Sequence, residues 1–164
     1  MCRSGQETGS VHPVSQTAPD ESPHAPSLIY IVGRVNQGLI REMRTLLCEW
    51  DLSVQEYTSL SVLQLRPGLS NAQLARRALV TPQSMLEILA KLENRNLVRR
   101  AVDTERRRVI RNELTEQGEQ VLELAGPAIG ELQERIFAGL TNAQRKVVTG
   151  ALATAMSRLS TRDR

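Results

Sequence analysis

Arginine is concentrated in one short stretch of the chain, residues 95–111, which holds seven arginines and only two acidic residues. The formal net charge of the whole chain is only +3, so this excess of positive charge is local. Guanidinium groups bind phosphate oxygens through forked hydrogen bonds and enter narrow minor grooves, where the negative potential is enhanced. The stretch therefore predicts contact with double-stranded DNA. The alternative is a solvated charged hairpin without a partner.

Polar side chains lie along one side of the helix predicted just before this stretch. Thr81 is placed to cap the helix, and Pro82 suits its first position because the missing N–H would be unpaired there anyway. Side chains near the N-terminus of a recognition helix reach base edges in the major groove. The opposite side is predicted to be buried and comprises Met85, Leu86, Ile88, Leu89 and Leu92. The candidate DNA contacts of the whole unit are Ser70, Thr81, Gln83, Ser84, Glu87, Lys91, Arg106, Arg107 and Arg108.

Local signals on both sides of this helix predict a winged helix-turn-helix over residues 70–115. Ser70 and Gln73 form a capping box for a short preceding helix. Asn96 is expected to end the recognition helix in the left-handed conformation. Two strands, residues 97–102 and 110–114, then enclose a polar tip. The apolar stripe predicted for the short helix comprises Leu74, Ala75, Ala78 and Leu79.

This region resembles the wing region of MarR-type transcriptional regulators, whose pattern is roughly L-E-x-x-G-L-V-x-R, then D-x-R, then L-T-x-x-G. The resemblance implies that Arg108 is the wing-tip arginine, which enters the minor groove in that family. Two positions depart from the pattern: Asn96 replaces the usual glycine and Arg106 the usual aspartate. An ion pair that braces the wing must then come from Asp103 or Glu105, or be absent. The matching positions are Leu92, Glu93, Leu97, Val98, Arg100, Leu114, Thr115 and Gly118.

The rest of the chain predicts one domain, residues 28–164, preceded by a tail. Residues 1–27 hold four of the seven prolines and lack apolar periodicity, so they are expected to be disordered. The chain has no secretory signal and no long apolar run, and its two cysteines do not make a disulfide framework. These features predict a cytoplasmic protein with no part in a membrane.

Long amphipathic helices are predicted on both sides of the winged unit, which covers residues 53–114. One lies in residues 28–50, and two more lie in residues 115–160. Their apolar stripes exceed what a winged unit of this size can cover, so we expect a homodimer on a pseudo-palindromic operator. A monomeric helical bundle that carries a wing is the alternative. The predicted fold class is mainly α with a small β-hairpin wing, a winged helix-turn-helix with N- and C-terminal dimerisation helices.

The sequence offers no group suited to catalysis. Both histidines, His12 and His24, fall in the predicted tail, where neither can join a nucleophile or an acid of the folded part. The chain has no glycine-rich phosphate loop and no Cys/His spacing typical of a metal site. We therefore expect neither an enzyme nor a bound metal or cofactor.

Three residues of the first helix are candidate sensors. The resemblance implies that this helix partly lines an effector cleft, where Arg34 or Arg41 could bind a carboxylate or phenolate. A solvated helix face is the alternative for both arginines. Some MarR-like regulators sense oxidants through a cysteine near the start of this helix, whereas Cys48 lies near its end. An ordinary buried thiol is the simpler interpretation of Cys48.

These features together predict a sequence-specific DNA-binding transcriptional regulator. The resemblance adds that it is a dimeric repressor released by a small anionic, aromatic or phenolic effector. Two alternatives come from other functional classes. One is a non-sensing architectural DNA-binding protein, and the other is a dimeric winged-helix module that binds proteins.

Overall fold

The computed structural model describes residues 26–102 and 110–160, which form a mainly helical structure with one β-hairpin. This confirms the predicted fold class. A short 3-10 helix, Cys48–Trp50, lies between the first two helices. The elements in chain order are α1 (Leu28–Leu47), α2 (Val54–Leu65), α3 (Asn71–Ala78), α4 (Pro82–Asn94), β1 (Val98–Val102), β2 (Ile110–Leu114), α5 (Glu116–Ile136) and α6 (Asn142–Ser160).

Side-chain caps set the starts of the helices where the sequence predicts them. Ser70 Oγ accepts from the backbone N–H of Gln73, and the Gln73 side chain accepts from the Ser70 N–H at 3.0 Å. The same reciprocal pair links Ser53 to Glu56 at the start of α2. Each box satisfies two backbone donors that a helix start leaves unpaired. Thr141 and Gln144 form a third reciprocal pair before α6.

The hydrophobic core is built mainly from α2, α3, α4 and the start of the wing. Leu86 is an exception to the predicted buried side of α4, because 49% of it is exposed. It follows Met85 by one residue, which places it about 100° around the helix from Met85 and outside the buried stripe. The fully buried side chains of this core include Leu47, Leu60, Leu63, Leu74, Met85, Leu89, Leu92 and Leu97.

Leu79 also departs from its predicted place in an apolar stripe. It is the C-cap of α3, has a φ of 57°, and is 76% exposed. The chain reverses there, with the Val80 N–H donating to Ala75 O at 3.0 Å, so Leu79 no longer follows the helical face. Asn96, by contrast, takes the left-handed conformation predicted for it, with a φ of 55°.

The wing hairpin pairs β1 with β2 in antiparallel register, from Val98 opposite Leu114 to Val102 opposite Ile110. A short bridge from Leu69 to Asn112 adds the segment before α3 to this sheet. Asn112 is buried, and its Nδ2 donates to Leu69 O at 2.9 Å. The wing is therefore attached to the helix-turn-helix through β2 as well as through α4.

Two units divide the chain, one up to Asn36 and one from Gln37. In the first, the start of α1 exposes its apolar side chains, including Leu28 at 75% and Ile29 at 86%. In the second, no residue of α6 up to Leu159 is buried. Each unit thus presents the surplus apolar surface that the sequence predicts. The large exposed apolar side chains of α6 are Val147, Val148, Leu152, Met156 and Leu159.

Candidate DNA-binding surface

The first turn of α4 is held by hydrogen bonds to its own cap and to α3. Thr81 Oγ1 accepts from the Ser84 N–H at 3.1 Å, and the two hydroxyls lie 2.8 Å apart. Asn71, the first residue of α3, donates from Nδ2 to Pro82 O at 3.3 Å. The start of α4 is consequently fixed in place, with Ser70 and Thr81 both engaged as caps.

Gln83 and Glu87 are exposed on α4, one turn apart. Neither forms a side-chain hydrogen bond or ion pair with another residue in the described ranges. A long polar side chain without an internal partner near a helix N-terminus can reach base edges. Lys91 is also exposed, but it lies nine residues after Pro82, which is about 13 Å further along the helix. Gln83 and Glu87 are therefore the better placed of the predicted base contacts.

Two arginines of β1 form ion pairs that brace the wing. Arg99 donates from Nε and Nη2 to Glu113 Oε2, at 3.1 and 2.8 Å, and these two residues are opposite each other in the hairpin register. Arg100 Nε lies 3.2 Å from Glu93 Oε2, which joins the wing to the last turn of α4. Sequence reasoning missed both pairs, although the opposite charges of Arg99 and Glu113 at facing positions of the two strands are a recognisable signal.

The other two described arginines of the basic stretch donate to backbone carbonyls. Arg111 donates from Nη1 to Gly68 O at 3.0 Å. Arg95 donates from Nη2 to Trp50 O at 3.0 Å and from Nη1 to Asp51 O at 2.5 Å. Arg95 and Arg111 therefore hold neighbouring segments of the fold together. The prediction that the whole stretch contacts DNA did not include this role.

The wing tip, residues 103–109, lies outside the described residues. That segment contains Arg106, Arg107 and Arg108, and also the two acids proposed to brace the wing. It joins the last paired positions of the hairpin, Val102 and Ile110. The prediction that these arginines contact DNA remains a prediction.

The candidate sensor residues are all exposed. Arg34 lies in the first unit, whereas Arg41 and Cys48 lie in the second. Neither arginine takes part in an ion pair with a described residue. The interpretation of Cys48 as an ordinary buried thiol is wrong, because it begins the 3-10 helix beyond α1 and its side chain is exposed.

In the described ranges, residues 26–102 and 110–160, no three His, Cys, Asp or Glu side chains are grouped so that they could hold a metal ion. None of the helices there has the length and apolar character needed to cross a membrane.

A sequence profile of the MarR family matches residues 50–108, the part that contains the helix-turn-helix and most of the wing. The HTH-type transcriptional repressor Rv2887 of Mycobacterium tuberculosis is 34% identical over 117 residues, which cover 71% of this chain and 84% of the repressor. The chain belongs to the MarR family. The resemblance found in the wing sequence is thereby confirmed.

Solved MarR-family structures share this fold. The crystal structure of Rv2887 with p-aminosalicylic acid has a TM-score of 0.64 and 32% identity, over 79% of this chain and 98% of that one. The structure of Rv2887 in complex with DNA has a TM-score of 0.65 and 31% identity, over 80% and 98%. The relatives of this chain include the transcriptional repressor Rv2887 and the transcriptional regulator HosA of Escherichia coli.

Proposed function

We propose that this MarR-family regulator is a dimeric, sequence-specific repressor whose operator affinity falls when a small anionic or phenolic effector binds. The DNA-binding part of this proposal rests on the start of α4. Hydrogen bonds fix that start in place, and Gln83 and Glu87 extend from it without internal partners. The Arg99–Glu113 pair joins the two strands of the wing, and the Arg100–Glu93 pair holds the hairpin beside this helix. Such an arrangement suits simultaneous contact with a major groove and the neighbouring minor groove.

Titration of the protein against genomic DNA fragments tests this function. A specific regulator binds a few fragments tightly and the rest weakly, typically with a difference of about a thousandfold or more. An architectural protein binds all fragments alike, and a protein-interaction module binds none. Sequencing the preferred fragments identifies the operator used in the experiments below.

Replacing Gln83 should affect operator and random DNA differently. Gln83→Ala is expected to cost about 1–3 kcal/mol on the operator and little on a random duplex, because a lost base contact removes sequence discrimination. Arg108→Ala should instead weaken binding to both duplexes and reduce the slope of log affinity against log salt by about one unit. Affinity measured against salt concentration, for each variant on each duplex, separates the two effects.

Gln133→Ala and Lys146→Ala serve as matched controls for these variants, because both residues are exposed on helices outside the winged unit. Both controls should bind like the wild type. Equal losses on the two duplexes for Gln83→Ala would place base recognition elsewhere on α4. An unchanged affinity for Arg108→Ala would remove the wing tip from the interface.

The exposed apolar surfaces of α1 and α6 support the dimeric assembly, with a second copy as the occupant. We propose that residues 28–50 and 115–160 supply the dimerisation helices, and that residues 53–114 form the DNA-binding part. Closed two-fold symmetry places two recognition helices about 34 Å apart, one turn of DNA. The predicted pseudo-palindromic operator follows from that spacing.

Arg34 is our proposed contact for an anionic effector, and Arg41 is a second candidate. The relative Rv2887 has been crystallised with p-aminosalicylic acid and with salicylic acid, both of which carry a carboxylate. Salicylate should weaken operator binding by the wild type, and Arg34→Ala should reduce that response without changing affinity in its absence. By linkage, operator DNA should weaken salicylate binding by the same factor.

Cys48 supports a competing form of regulation, since its thiol is exposed. If peroxide lowers operator affinity and Cys48→Ser abolishes that loss, the regulator senses oxidants. If neither salicylate, related phenolic acids nor peroxide changes operator affinity, the effector part of the proposal fails. The architectural alternative would then gain support.

A further inference from the structure

A buried polar side chain, Asn112 of β2, connects the wing to the segment that leads into α3. Only 1% of Asn112 is exposed. Its backbone N–H and its Nδ2 both donate to Leu69 O, at 3.0 and 2.9 Å, and its main-chain oxygen accepts from the Gly68 N–H at 3.1 Å. The preceding residue, Arg111, donates from Nη1 to Gly68 O at 3.0 Å. Two of these four hydrogen bonds therefore come from side chains.

The Asn112 amide is costly in this place. Its Oδ1 is buried and accepts no hydrogen bond from any residue in the described ranges. A buried amide oxygen without a donor costs more free energy than an apolar group of similar shape. Leu69 O does not require the amide either, because the backbone N–H of Asn112 already donates to it. Stability alone therefore does not explain an asparagine at this position.

Register is the property that the second bond to Leu69 O helps to fix. An isolated bridge between Leu69 and Asn112 adds the segment to the sheet. A slip by two residues would move the segment along β2 by about 7 Å. That distance exceeds the width of a minor groove, which is about 6 Å. Any slip would also leave the buried Nδ2 without its acceptor, and a buried amide can specify register in this way.

We propose that Asn112 is a positioning residue for DNA binding. Its amide fixes the wing relative to α3 and α4, so that the wing tip and the recognition helix meet neighbouring grooves together. The segment ends at Ser70, whose side chain caps α3, and Asn71 of α3 donates to Pro82 O at the start of α4. A displaced segment would thus also displace the recognition helix. The proposal rests on the proposed function, because it assumes that both elements contact DNA.

Hydrogen exchange tests this connection without DNA. Asn112→Leu keeps the branched shape of the side chain and removes its polar atoms, and Asn112→Val is a smaller second variant. Each should speed the exchange of the Gly68 amide about tenfold or more, because its bond to residue 112 opens more often. Protection of the Leu89 amide, in the buried part of α4, should stay the same or increase.

Ser59→Ala is the matched control, because Ser59 is buried and donates to Gln55 O within α2, outside the wing. It should leave the exchange of Gly68 unchanged. If neither Asn112 variant speeds the exchange of Gly68, the proposal is overturned. An equal loss of protection at Gly68 and Leu89 would also overturn it, since that result shows a general loss of stability.

A double-mutant cycle on the operator extends the test to DNA binding. The loss of affinity caused by Arg108→Ala should be smaller by about threefold or more in the Asn112→Leu background, because a displaced wing no longer presents its tip to the groove. Independent sites agree within about twofold in such a cycle. The same cycle with Ser59→Ala should be additive.

The outcomes of the cycle separate this proposal from the proposed function. If Arg108→Ala costs the same in the wild type and in the Asn112→Leu background, the positioning role is overturned and the proposed function stands. If Arg108→Ala costs nothing in the wild type, the positioning role is overturned as well, since the wing then has no contact to position. A protein that binds no operator fails the proposed function and this role with it, whatever the exchange of Gly68 shows.

Discussion

Gly118→Ala should destabilise the protein by about 3 kcal/mol, the upper end of the usual cost of overpacking. A Cβ built on Gly118 lies 2.1 Å from the carbonyl oxygen of Leu97 and 3.0 Å from its carbonyl carbon. Neither neighbour can move aside easily, because both are backbone atoms and the same oxygen accepts from the Thr115 N–H at 3.1 Å. The first turn of α5 would have to move away from the start of the wing.

Gly130→Ala is the matched control for this prediction. Gly130 is in the same helix, and a Cβ built on it has no neighbour within 4 Å. Alanine there should raise the free energy of unfolding by about 0.5–1 kcal/mol, because glycine is a poor helix former. Urea unfolding of both variants at one protein concentration measures the difference. Equal stability of the two variants would show that the approach of α5 to Leu97 does not constrain the fold.

Features set by a few neighbouring residues could be predicted from the sequence. The capping boxes at Ser53, Ser70 and Thr141 depend only on side chains three residues apart, so their residue types were sufficient evidence. The left-handed Asn96 was predictable for the same reason. The two strands of the hairpin were predictable from the apolar residues on both sides of a polar tip.

Features that depend on contacts between distant residues were not predictable in this way. Arg95 reaches Trp50 and Asp51 across more than forty residues of sequence, so its local surroundings suggested DNA binding instead. Leu79 has the residue type of a core position, but its place at the reversal between α3 and α4 exposes it. Gly118 shows most directly that a contact between distant residues cannot be predicted from local sequence. The family pattern marked this glycine, and only the approach of Leu97 O explains it.

Deleting residues from Thr141 onward should abolish the dimer and with it cooperative binding to a palindromic operator. The deletion removes α6. None of its side chains up to Leu159 is buried within the chain. An amphipathic helix of this length is stable in water mainly when another surface covers its apolar side. Sedimentation of the truncated protein should show a monomer or aggregates, and a compact dimer would remove α6 from the assembly.

Because the deletion also removes the link between Arg145 and Glu134, a point substitution provides the sharper test. Arg145 donates to both carboxylate oxygens of Glu134, at 2.8 and 2.9 Å, and this hydrogen bonding, together with its charge, lowers the pKa of Glu134. Leu152→Glu keeps Arg145 and Glu134 in place but puts a charge on the exposed apolar face of α6 in both copies. It should raise the dimer dissociation constant by about a hundredfold or more, since each copy loses apolar burial and gains a desolvation cost.

Lys146→Glu, which also adds negative charge to α6, should change the dimer dissociation constant far less. Circular dichroism checks that both variants keep their helices. A Leu152→Glu protein that remains dimeric at nanomolar concentration would show that α6 does not form the interface.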